Sequence, residues 1–195
     1  MTASLSLLQL QKMWPYGDRT VPGLMAGIAG SAPSVFAKYG VTSQLVVAIM
    51  FGQFSEETGE GRDMIEDIRY SPARAVQLWP SHFRSVADVY AKIGSYVGDS
   101  QFDIKLMDYV YGGRMGNRPG THDGSTYIGH GLTQATGLDG FLAVKKRTGL
   151  DVVSHPEIFI APATLPSAST KPPCGARSLA YDPRLRVGGL LRREL

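Results

Sequence analysis

Between Thr42 and Gly59 the chain reads TSQLVVAIMFGQFSEETG, and no other stretch limits the fold as much. Its apolar residues Leu45, Val46, Val47, Ile49, Met50, Phe51 and Phe54 fall on almost every side of a helical wheel, so the segment predicts a helix opening at Thr42 or Ser43, closing at Gly59 and largely buried. A helix surrounded on all sides needs other helices around it, and 195 residues are enough to build such a core. The same segment runs straight into a cluster of carboxylates: Glu56, Glu57, Glu60, Asp63, Glu66 and Asp67.

The remaining pattern is helical as well. Leu5, Leu7, Leu8, Leu10 and Met13 have roughly helical spacing, and WPYGDRTVPG stops that element. SAPSVFAKYG predicts a further helix. Ser71 before Pro72 is a cap followed by a first-turn proline, starting a helix that Pro80 ends. Helices are predicted from about Val86 to Ile93, from Asp103 to Tyr111, and over LDGFLAVKKRTG up to Gly149. YGGRMGNRPGTHDGSTYIGHG is crowded with Gly, Pro, Asn and Asp, too broken for a helix and too polar for a buried strand, so it reads as a functional loop. From about Ala161 the texture turns rich in Pro, Ala and Ser. The expectation is a mainly α domain over residues 1–160 and an irregular, basic, disordered tail over residues 161–195.

Charge narrows the choice of partner. The formal excess is only +3, and from Lys171 onward six basic residues face only Asp182 and Glu194, so the excess belongs to the tail and the rest is about neutral. That argues against a nucleic-acid partner. A single cysteine, Cys174, excludes an intramolecular disulfide framework. No apolar run reaches membrane-spanning length and the N-terminus lacks a leader pattern, so the expectation is a protein made in the cytoplasm, without stable membrane association, and monomeric.

Hydrolysing a glycosidic bond with inversion takes one protonated carboxyl on the leaving oxygen and one carboxylate holding a water, roughly 6.5–9.5 Å apart. Glu57, at the end of the apolar helix, is placed for the first role, because an apolar surface favours the protonated form. A solvated acidic face is the plainer alternative. Gln134 and Thr136 in GHGLTQATG suit bonding a water or a sugar hydroxyl, although an ordinary turn would use the same residues. GGRMGN matches neither a P-loop nor a dinucleotide fingerprint. His82, His122, His130 and His155 lack the i, i+4 pairing of a zinc helix, and no metal is expected.

Taken in order, FGQFSEETGEG, IEDIRYSPARAVQLWPSHF, VYGGRMGN, DGSTYIGHGLTQATG and LDVVSHPE resemble the glycoside hydrolase family 19 chitinases, especially their short bacterial and phage endolysin-like members, from about Leu24 to Glu157. The resemblance implies a lysozyme-like, bilobal helical fold with a deep cleft, working without metal or organic cofactor. It implies Glu57 as the catalytic acid and Glu66, with Asp67 as the neighbouring alternative, as the carboxylate that activates water. It further implies Thr136 as the water-positioning hydroxyl, and Gln134, Tyr70, Asn117 and Tyr127 as substrate contacts. The substrate would be a polymer containing N-acetylglucosamine, peptidoglycan or chitin, reached by holin-type release in a phage or prophage lysin.

The departures from the family are local. Its usual Tyr-Arg-Gly-Arg-Gly stands here as Tyr127-Ile128-Gly129-His130-Gly131, its sugar-binding Asn is Gly140, and the tail does not resemble its C-terminal helices. A non-catalytic or degenerate glycan-binding remnant, truncated or frame-shifted and with part of its core exposed, is therefore the alternative reading.

Overall fold

The computed structural model describes residues 3–95 and 101–161. The tail expected over 161–195 lies outside the described residues except for Ala161. The molecule is mainly α-helical: α1 Leu7–Met13, α2 Gly17–Thr20, α3 Leu24–Tyr39, α4 Gln44–Thr58, α5 Pro72–Leu78, α6 Val86–Ile93, α7 Phe102–Tyr111, α8 Asp123–Thr126 and α9 Gly137–Thr148, then a 3-10 turn Pro156–Ile160. Among the described residues no strand forms, only a two-residue antiparallel bridge between Ile65 and His130. No described helix is long and apolar enough to cross a membrane.

Local chemistry explains most boundaries. Ser6 caps α1 through a reciprocal box with Gln9, Ser71 and Ser85 accept from the backbone N–H groups of Arg74 and Asp88 to start α5 and α6, and Gly59 and Gly149 end α4 and α9 in the left-handed conformation. Two short helices were not legible. α2 lies in the Pro- and Gly-rich connection after α1, and α8 is a single turn inside the segment judged too broken for a helix. α3 begins at Leu24, before the predicted SAPSVFAKYG, and runs through Pro33; that residue is exposed, so the ladder bond it cannot donate falls on the solvent side.

The chain divides into two compact units. Of the described residues, the first holds Ala3–Ile65, His130–Gln134 and Glu157–Ala161. Its core collects Leu10 and Trp14 of the α1 end, Leu24, Ile28 and Phe36 of α3, Val47 and Phe51 of α4, and Met64. The second holds Glu66–Gly129 and Ala135–Pro156, with Ala75, Trp79, Phe83, Val89, Phe102, Leu106, Val110 and Ile128 in its core.

The expectation for α4 is corrected. Only Val47, Phe51 and Thr58 are buried, on one face, while Leu45 and Ile49 are 69% and 61% exposed and Val46 is exposed too. Trp14 packs against the Val47–Phe51 side, its ring 5.6 Å from that of Phe51, in the same core cluster. No described residue buries the opposite face. The helix is apolar all round in composition but amphipathic in its surroundings.

Candidate active site

In the first unit, Glu57 sits in the last turn of α4, half-buried beside the fully buried Thr58, while Glu56 points to solvent. The chain then doubles back tightly. Thr58 Oγ1 donates to the Phe54 carbonyl at 2.6 Å and accepts from the Gly61 N–H at 3.0 Å, and the Asp63 N–H reaches the Thr58 carbonyl at 2.8 Å. Gly61 is required here: at φ +81°, a Cβ would stand 3.1 Å from the Trp14 ring and 3.2 Å from the Gly17 backbone. Gln134, itself at φ +46°, donates its side-chain amide to the carbonyls of Asp63 (2.9 Å) and Gly131 (3.1 Å). The Gly131 N–H bonds the Met64 carbonyl at 2.8 Å. The observed bonds of Gln134 therefore clamp the chain that follows Glu57.

In the second unit, the Glu66 N–H donates to the Gly129 carbonyl at 2.8 Å, and the Gly129 N–H returns a bond to Glu66 Oε2 at 3.1 Å. The carboxylate is thus oriented by backbone. It stands near an aromatic group: Trp79 packs edge-on against Tyr70 at 5.2 Å and against Tyr111 at 6.2 Å. Burial first, then the negative charge of Glu66, pushes the Tyr111 phenol up to about 12, and the same two causes raise Tyr70. Both tyrosines therefore stay neutral hydroxyls at ordinary pH. Tyr111 and Trp79 are further candidates that the sequence did not single out, although both lie inside VYGGRMGN and IEDIRYSPARAVQLWPSHF.

Asp67, the alternative to Glu66, is engaged elsewhere. Arg69 grips it through both carboxyl oxygens at 2.8 and 2.5 Å, in an exposed pair, and holds its carboxyl down at about 2. Of the two neighbours, Glu66 is the one bonded to Gly129, and its charge acts on both Tyr70 and Tyr111, whereas that of Asp67 acts on Tyr70 alone.

Thr136 is the half-buried N-cap of α9. Asn117 is buried, accepting from the Leu138 N–H at 2.9 Å and donating to the Tyr111 carbonyl at 3.2 Å, so it joins the start of α9 to the end of α7. Tyr127 is buried as well, its ring 4.8 Å from Phe141 and its hydroxyl on the Val153 carbonyl at 3.3 Å. The observed contacts of these two residues are internal to the fold. Ile128 and His130 are both buried, Ile128 within the second unit's core and His130 beside Phe159 in the first.

Among the described residues no group of three or more His, Cys, Asp or Glu could hold a metal ion. No protein-family model matches the chain, and no curated protein is found as a relative.

Proposed function

We propose that the chain is a glycoside hydrolase with a lysozyme-like cleft, cleaving β-1,4 bonds of N-acetylglucosamine-containing polymers by an inverting, two-carboxylate mechanism. The observation that carries the reading is the Glu66 carboxylate, oriented by the Gly129 N–H and close enough to Tyr70 and Tyr111, which pack on Trp79, for its charge to act on both. Carboxylates beside exposed or half-buried aromatic rings suit sugars, whose C–H faces pack on rings while hydroxyls need polar partners. In this mechanism Glu57 gives its proton to the glycosidic oxygen as the bond to the anomeric carbon breaks. Glu66 takes a proton from the water that attacks the opposite face, and the product is inverted. Thr136 positions the water, Tyr70 and Tyr111 meet the sugar, and Gln134, Asn117 and Tyr127 hold the backbone that carries these groups.

The test is reducing-sugar release from purified peptidoglycan and from chitin oligomers by wild type, Glu57→Gln, Glu66→Gln and Asp67→Asn. Either glutamine variant loses about 100-fold or more, as general acid–base groups do, while Asp67→Asn stays within a few-fold. Equal rates for wild type and Glu57→Gln reject the assignment.

A second reading, a glycan-binding protein that no longer cleaves, draws on the burial of Ile128 and His130 where the family places arginines. Retention on insoluble wall polymer with no bond cleavage by wild type selects it.

A further inference from the structure

The indole N–H of Trp79 has no part in the chemistry described so far, yet the bonds around this residue and its neighbour fix where it points. Trp79 closes α5: its backbone N–H bonds the Ala75 carbonyl, and its own carbonyl accepts from the N–H groups of His82 at 2.9 Å and Phe83 at 3.0 Å. The side chain is only 8% exposed, within the second unit's core. Its ring stands edge-on to Tyr70, with 81° between the planes, and edge-on to Tyr111, with 84°. Tyr111, the last residue of α7, is held as firmly, since its carbonyl accepts from the Arg114 N–H at 3.1 Å and from the Asn117 side-chain amide at 3.2 Å. With both backbones pinned, the two rings have little freedom relative to each other.

The direction of the bond between them follows from the groups involved. An indole N–H can only donate, so the hydrogen bond that joins the Trp79 and Tyr111 side chains runs from Nε1 to the phenol oxygen. A phenol has a single proton, and with its oxygen accepting on the indole side, the O–H turns away from Trp79. Glu66 is the first of the charges acting on that hydroxyl, ahead of Tyr70 and Arg114. The Gly129 N–H takes Oε2 of the Glu66 carboxylate, which leaves Oε1 for a second donor.

We infer that Trp79 is a positioning residue: through its Nε1–H it turns the Tyr111 O–H onto the Glu66 carboxylate, which gives Glu66 a second fixed donor beside the Gly129 N–H. The inference rests on the glycoside hydrolase reading for what Glu66 is used for, but not for the hydrogen-bond chain itself. A base held by two donors keeps one orientation toward the attacking water, and each bond of such a chain strengthens the next.

The experiment is NMR of the indole N–H groups in the whole 195-residue chain, which has two tryptophans and so two such signals. Trp14 is the internal control, because its Nε1 donates to Ser55 Oγ at 2.6 Å in the other unit. Tyr111→Phe, which keeps the ring and removes the hydroxyl, is expected to move the Trp79 signal upfield and leave that of Trp14 in place. Glu66→Gln is expected to move the Trp79 signal as well, but only while Tyr111 has its hydroxyl, and Asp67→Asn to leave it unmoved. A Trp79 signal that ignores Tyr111→Phe or Glu66→Gln, or that responds to Glu66→Gln equally in the Tyr111→Phe background, overturns the inference. In the hydrolysis assay, Trp79→Phe and Tyr111→Phe should each lower kcat about tenfold with KM changed by less than about twofold, and the double variant should fall no further than either alone. Additive losses in the double variant also count against the chain. The two readings fail separately: hydrolysis that ignores Glu66→Gln removes the catalytic role and leaves the indole coupling standing. Hydrolysis that needs Glu66 while the Trp79 signal ignores it removes this inference alone.

Discussion

Asp123 is buried while its partner Arg118 is exposed, and the arginine contacts it three ways: through its backbone N–H at 2.9 Å and through Nε and Nη2 at 2.8 Å each. Hydrogen bonds from Arg118 hold the carboxyl down at about 2, from an ordinary value of 3.8. A depressed folded-state value means that the stabilisation is complete above about pH 4 and is lost as pH falls toward 2. Asp123→Asn should therefore cost about 1–3 kcal/mol at neutral pH. In urea unfolding the gap between variant and wild type should close as the pH drops through that window, and a gap unchanged from pH 7 to pH 2.5 would contradict the account. At this scale the sequence named Glu57, Glu66 and Tyr70 but could not separate Glu66 from Asp67. Their chemistry is nearly the same, and only the partners differ, Gly129 for one and Arg69 for the other.

Helices α7 and α8 touch through a glycine. A Cβ on Gly124 would stand 2.5 Å from the Met107 carbonyl oxygen and 2.7 Å from the Asp108 Cα, which are backbone atoms with nowhere to go. Gly124→Ala should push α8 off α7 and cost about 1–3 kcal/mol. Gly30, inside α3 with nothing within 4 Å of its Cβ position, is the control: Gly30→Ala should stabilise by about 0.5–1 kcal/mol, since only helix propensity changes. Thermal unfolding of the two variants should move in opposite directions, and a shared sign would undo the argument. Helix ends marked by side chains, Ser71–Pro72 and Gly149 among them, were legible because the signal is carried within a few residues. α2 and α8 were not, because one helical turn has no periodicity to read and is held by what it packs against.

Over the whole molecule, the apolar face of α4 has the widest consequences. Leu45 and Ile49 lie exposed on the side opposite Phe51, so their burial contributes little to the fold. The double variant Leu45→Lys/Ile49→Lys should change stability in urea unfolding by less than about 0.5 kcal/mol, whereas Phe51→Ala should cost about 3–5 kcal/mol. Large destabilisation by the lysine pair would show that the face is covered after all.

The sequence by itself determined the helical class, the position of α4 from Ser43 to Gly59, and the candidate carboxylates, because caps, breakers and apolar spacing act over one or two turns. Only the tertiary structure decided which face of α4 is buried, that Asn117 and Tyr127 spend their polar groups inside the fold, and that Glu66 is held by the Gly129 N–H while Asp67 is held by Arg69. Those outcomes depend on contacts between residues far apart in the chain, such as Glu66 with Gly129 and Asn117 with Leu138. Nothing in the local order of residues specifies them.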